Sequence, residues 1–117
     1  MPSIVHIEIA SSDPKTAGEF YKNLFGWNIE VDQRFDYVQF TPPEGVAGAF
    51  PQADADMYKP GDVIVYVGTD NIEAAQQKVE ALGGKVLVPK TEIPGMGWFA
   101  IIADPTGARM GLYTGGG

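Results

Sequence analysis

Residues 4–9 alternate. Val5, Ile7 and Ile9 fall on one face of an extended segment, and Ile4, His6 and Glu8 on the other. That two-residue period predicts a strand with one aliphatic face. Asp13 then stands before Pro14, a good N-cap followed by the residue best suited to the first helical position. Ala17, Phe20, Tyr21, Leu24 and Phe25 recur at helical spacing as one apolar stripe, and Gly26 ends the run. Strands are predicted over 27–31, 37–40 and 46–50. Pro42 and Pro43 break the ladder between the last two, since proline has no N–H to donate. The first half reads β-α-β-β-β.

The same order then returns. Val63, Val65 and Val67 repeat the aliphatic face, with Asp62, Ile64 and Tyr66 opposite. Asp70 is the expected cap of a second helix, whose stripe includes Ala74, Ala75, Val79 and Leu82 and which stops at Gly83 and Gly84. Residues 85–88 form a predicted strand closed by Pro89, 92–97 a loop, 98–103 a strand and 109–114 the last strand. Pro105 and Gly107 shape the turn before that strand. The helix anchors move together, from 13 to 70 and from 26 to 83, which is the mark of an internal repeat. The expected architecture is therefore α+β: two βαβββ modules forming a curved mixed sheet, with the helices on its outer face. One domain spans 1–117, divided into module one (1–51), a linker (52–61) with turn formers and no periodicity, and module two (62–115). Each sheet half has a helix on one face only. The other face must be covered by its sister half or by a second chain, and a cleft there suits a ligand.

Composition narrows the function. Of 117 residues, 44% are hydrophobic, so a core can form. The net charge is −7, from 15 acids and 8 bases, which disfavours nucleic acid and anionic membrane as partners. No apolar run approaches the roughly 18–20 residues of a membrane helix. No secretory pattern opens the chain, and cysteine is absent, which excludes disulfides and thiolate chemistry. A cytoplasmic location is expected.

Four stretches carry a resemblance: His6 in the first strand, FYKNLFGW at 20–27, EALGGKV at 80–86 and DPTGARMGLY at 104–113. Together with the element order, the chain resembles the vicinal oxygen chelate superfamily, which includes glyoxalase I, bleomycin-resistance proteins, fosfomycin-resistance enzymes and extradiol dioxygenases. The resemblance implies a metal site in the catalytic members, with a His or Gln in the first strand of each half and a Glu or His in the last strand. His6 matches the first of these positions. The second falls at Ile64 or Val63. Gly111 stands where a last-strand Glu is common, and residues 46–50 offer no carboxylate or imidazole. His6 and Glu8 remain as metal candidates, with Asp62 a further one if the register shifts, against the three protein ligands that a catalytic zinc ordinarily keeps.

The candidate ligand-binding residues are His6, Glu8, Tyr66, Trp98, Arg109 and Tyr113. His6 is the chain's single histidine. It is a pocket group for hydrogen bonding or proton transfer near neutral pH, or else a polar residue satisfied by Glu8. Strand parity puts Tyr66, Trp98 and Tyr113 on the open sheet face, where they would stack a planar ligand or form a dimer seam. Tyr37 and Gln39 are a lesser pair of that kind. Arg109 suits an anionic ligand group or a surface ion pair. Phe20, Tyr21 and Phe25 are read as core. The function expected is metal-independent binding of an apolar or aromatic small molecule, with no cofactor, in a homodimer. Two alternatives stand beside it. One is a metal-dependent lyase, isomerase or dioxygenase using His6 and Glu8. The other is a regulatory or structural dimer module without a small ligand.

Overall fold

In the computed structural model the described residues are 2–34, 36–54 and 56–115. They form two compact units, one drawn from residues 6–64 and the other from residues 2–5 and 65–115. Strand β1 (Ile4–Ile9) is followed by α1 (Pro14–Phe25), β2 (Asn28–Asp32), β3 (Tyr37–Thr41) and β4 (Gly48–Phe50). The order across this sheet is β2-β3-β4-β1. Then come β5 (Val63–Gly68), α2 (Ile72–Ala81), β6 (Lys85–Ile93), β7 (Gly97–Ala103) and β8 (Arg109–Thr114), ordered β5-β8-β7-β6. β1 runs parallel to β4 and β5 parallel to β8, and the remaining pairs within each half are antiparallel. The fold is thus α+β, two β-α-β-β-β modules with mixed sheets.

The first helix begins and ends where its sequence says. The Asp13 carboxylate accepts from the Thr16 N–H at 3.2 Å, Pro14 fills the first turn, and Gly26 adopts φ 75° with its N–H on the Lys22 carbonyl. Its apolar stripe, however, divides. Ala17 and Tyr21 pack on Val38, Phe40 and Phe50, whereas Phe20, Leu24 and Phe25 are each more than half exposed. Gly18 explains the division. A Cβ there would stand 3.0 Å from Ile29 and 3.1 Å from Val38, so the helix meets the sheet along its 17–18–21 edge. Stacked rings complete this core, with Tyr21 5.4 Å from Phe50 and Trp27 5.0 Å from Phe40 between centroids.

The second helix departs from the exact repeat. Its cap is Asn71, one residue past Asp70, because the Asn71 side-chain oxygen accepts the Ala74 N–H at 2.9 Å. It spans 10 residues against 12 in α1. Leu82, assigned to the buried stripe, is instead the C-cap and 72% exposed. Ile72 supplies the core contact, against Ala100 and Leu112. Pro89 also fails to close its strand. β6 runs on to Ile93, with register shifts between Val86 and Val88 and between Val88 and Thr91, so Pro89 sits where the ladder is already interrupted. The 92–97 loop shrinks to a turn in which the Met96 N–H meets the Ile93 carbonyl at 2.8 Å.

The connection after β4 is ordered by side chains. The Asp54 carboxylate accepts from the N–H groups of Asp56 and Met57 at 2.8 and 2.6 Å, and the Asp54 N–H donates to the Tyr58 carbonyl at 2.7 Å. Gly61 then bonds back to the Ala10 carbonyl at 2.9 Å, fastening this segment to the end of β1.

Candidate functional site

In the first unit, Val38, Phe40 and Phe50 point to the helix side, so Tyr37, Gln39 and Ala49 share the opposite face. The ladder places Glu8 beside Ala49, Ala49 beside Gln39, and Gln39 beside Glu30. This face is polar, with a small residue at its centre.

Glu8 is the buried charged side chain among the described residues, 7% exposed. Tyr37 donates its hydroxyl to Glu8 Oε2 at 2.5 Å, and Tyr58 donates to Oε1 at 2.9 Å. His6 Nε2 lies 3.0 Å from the Tyr37 oxygen. Tyr37 has a single proton, and that proton is given to Glu8. Its oxygen can therefore only accept from His6, which sets the neutral imidazole as the Nε2–H tautomer. Burial lowers the His6 pKa, with the Glu8 charge pulling it back up. Burial, then the charge of Glu8 and the hydrogen bond to it, drive the Tyr37 phenol far above its usual range. The hydrogen bonds thus gather one imidazole and two phenols around one carboxylate.

Periodicity marks His6 and Glu8 and puts Tyr37 on their face. Tyr58 is the member it misses, since it lies in the polar connection 50 residues from Glu8 in sequence. An aromatic residue inside a turn-rich stretch is the one local sign it gives. Asp62, the further metal candidate, accepts the Lys59 N–H at 3.0 Å and so closes a turn.

In the second unit, Tyr66 is 5% exposed and lies against Gly111, its ladder partner. A Cβ on Gly111 would stand 2.3 to 2.7 Å from three carbons of the Tyr66 ring. The ring thus fills the space in which a side chain at 111 would begin. Tyr113 shares this face with Phe99 and donates its hydroxyl to the Met96 carbonyl, bracing the turn between β6 and β7. Arg109, half-buried, sits opposite Ala103 at the start of β8.

Trp98 is a correction. It pairs with Thr114, not Tyr113, and packs with Ala100 and Ile102 against Ile72 of α2. Its ring belongs to the helix side, beneath the Lys90 ammonium 4.7 Å from its centroid. The structure therefore brings His6 and Glu8 together, puts Tyr66 and Tyr113 on one face of the second unit, and removes Trp98 from that face. A groove of about 680 Å³ lies in this unit beside the start of α2, lined by Val5, Gly68, Asn71, Ala75, Lys78 and Tyr113 among others.

A divalent metal needs several N or O donors converging on one point. Among the described residues no group of three His, Cys, Asp or Glu side chains does so. Both oxygens of Glu8 already accept phenol protons, and Tyr66 closes the position at Gly111. Among the described residues, these donors do not assemble a site for such an ion. No helix among the described residues is long and apolar enough to cross a membrane.

Comparison with known proteins agrees with the architecture. The family model described as Glyoxalase/Bleomycin resistance protein/Dioxygenase superfamily matches residues 3–112. The chain is 28% identical to the anthracycline biosynthesis protein DnrV of Streptomyces peucetius, over 91% of this chain and 44% of that protein. It is 27% identical to the putative glyoxylase CFP32 of Mycobacterium tuberculosis, over 92% of this chain and 43% of that protein. The chain spans less than half the length of these relatives. Among solved structures it is similar in fold to methylmalonyl-CoA epimerase from Mycobacterium tuberculosis, with TM-score 0.75 at 12% identity, covering 97% of this chain and 88% of that one. With a family model covering residues 3–112, and with paired β-α-β-β-β modules beneath it, the chain belongs to the Glyoxalase/Bleomycin resistance protein/Dioxygenase superfamily.

Proposed function

We propose that this chain is a metal-independent small-molecule-binding protein of the glyoxalase/bleomycin-resistance type, taking an apolar or aromatic ligand. The observation that carries the reading is the state of Glu8. Its two oxygens each accept a phenol proton, so the best candidate ligand for a metal is engaged by the protein itself. A cation would have to displace two hydrogen bonds to a buried carboxylate, and such bonds are worth about 1.5–3 kcal/mol each. What remains is a polar patch of defined proton positions, the kind of feature that orients a ligand in an otherwise apolar cleft. His6 and Glu8 are the polar contacts of this site in the first unit. Tyr66, Arg109 and Tyr113 are the corresponding candidates in the second. Aromatic ligands draw support from DnrV and DauV, both named for anthracycline biosynthesis. A homodimer and a cytoplasmic location belong to the same proposal.

The test has two parts. Untagged protein purified without chelator is assayed for metal by elemental mass spectrometry, with His6→Ala alongside. A panel of aromatic compounds is then screened by thermal shift. The expected outcome is metal far below one equivalent in both proteins, together with aromatic ligands that raise the Tm of wild type more than that of His6→Ala. Near-stoichiometric metal that vanishes in His6→Ala would overturn the proposal.

A further inference from the structure

The groove beside α2 is lined by residues of the second unit alone, and its volume of about 680 Å³ falls in the range of small-molecule sites. One row of α2 lines it: Asn71, Ala74, Ala75 and Lys78, spaced as a single helix face. Ile72 secures the helix from a different side, packed with Ala100 and Leu112. The middle of the row is therefore two methyl groups that the sheet does not use. Val5, 43% exposed, adds an isopropyl group to the same lining.

Two charges also line the groove. Asp70 stands just before the helix cap, and Lys78 in the last turn. Seven residues of helix, from 71 to 78, rise about 10 Å, too far for the two side chains to neutralise each other. Among the described residues neither is in an ion pair, whereas Lys90 of the same unit is matched by Glu73. The groove thus has a negative end, an apolar middle and a positive end.

That pattern selects its occupant. A simple anion gains Lys78 but meets Asp70, in a chain of net charge −7. A simple cation gains Asp70 but meets Lys78 and the positive end of the helix dipole. A molecule carrying both charges meets each with its opposite and lays its chain on Ala74, Ala75 and Val5.

We infer that this groove binds an elongated zwitterion, with an ammonium group at Asp70 and a carboxylate at Lys78, about 10 Å apart on an apolar chain. The site shares no residue with the cluster of His6, Glu8 and Tyr37, and it stands whether or not a ligand binds there.

The probe is 8-aminooctanoic acid, with octanoic acid and octylamine as its singly charged matches. Binding is followed at low salt by amide chemical shifts of the full chain. The zwitterion shifts residues 68–75 and 114 and binds about three- to fivefold more tightly than either match, the size of effect that one exposed ion pair supplies. Lys78→Met keeps the length of the side chain and removes its charge, so the zwitterion falls to the affinity of octylamine. Ala74→Leu fills the groove and abolishes the shifts. Both positions are exposed and both replacements are good helix formers, so the Tm changes little. His6→Ala binds the probe as wild type does. Octanoic acid or octylamine binding as tightly as the zwitterion overturns the inference. So do shifts that persist in Ala74→Leu, or a wild type that shows none.

Discussion

Gly111 offers the sharpest test of the packing described above. A methyl group there would meet Tyr66 at 2.3 Å, at ring carbons that include the one bonded to the side-chain stem, so the ring cannot swing its tip aside to make room. Tyr66 is 5% exposed, so its ring has little open space to move into. Overpacking of this kind costs typically 1–3 kcal/mol, and this contact is at the severe end, so Gly111→Ala is expected to lose about 2–3 kcal/mol. For a chain of this size that corresponds to a fall in Tm on the order of 10 °C. Tyr66→Ala removes the obstacle and is itself destabilising by about 3–5 kcal/mol, as aromatic truncation in a core usually is. In that background Gly111→Ala should be close to neutral. The assay is urea unfolding of the four members of this double-mutant cycle, followed by tryptophan fluorescence. The coupling between the two sites should come to about 2 kcal/mol. A single-mutant loss below about 0.5 kcal/mol, or additive losses in the double mutant, would refute the reasoning and reopen the space at 111 to a larger side chain.

Three further outcomes follow from the Glu8 cluster. Tyr37→Phe removes the donor to Oε2 and the acceptor for His6, and is expected to cost about 2–4 kcal/mol in urea unfolding; a loss under 1 kcal/mol would mean the cluster is not formed in solution. Glu8→Gln removes the one contribution that raises the His6 pKa, so an NMR titration should find the imidazole still lower than in wild type; an increase would contradict the assignment. Because the folded-state pKa of His6 lies below 6.5, the unfolded chain binds more protons between those two values, and stability should fall as pH drops through that window. His6→Gln should flatten that part of the stability–pH curve.

Local signals carried most of the fold. Asp13, Pro14 and Gly26 fix α1 because capping depends on a few neighbouring residues, and the alternation at 4–9 fixes β1 for the same reason. What failed was relational. Trp98 and Tyr113 each alternate cleanly within their own strands, but which of their faces coincide depends on the register set by the turn at 104–108. Shifting that register by one residue moves Trp98 across the sheet. The wide stripe of α1 misled for a similar reason: which edge faces the sheet was decided by Gly18, a residue with no hydrophobicity to register. At the site, His6 and Glu8 are legible because they interrupt an aliphatic strand. Tyr58 is not, because its partner lies 50 positions away and its own neighbourhood reads as linker.

The run of β6 past Pro89 bears on how the protein behaves at high concentration. β6 is the outermost strand of its sheet and, at nine residues, the longest. Such a rim is a template on which another chain can polymerise. Here proline withholds an N–H, two register shifts bend the backbone, and Lys85, Lys90 and Glu92 set charge along it. Replacing Pro89 with valine would restore an unbroken, β-favouring segment, and the first sign of that change would be fibrous precipitate on storage, with ligand binding intact in whatever stayed dissolved.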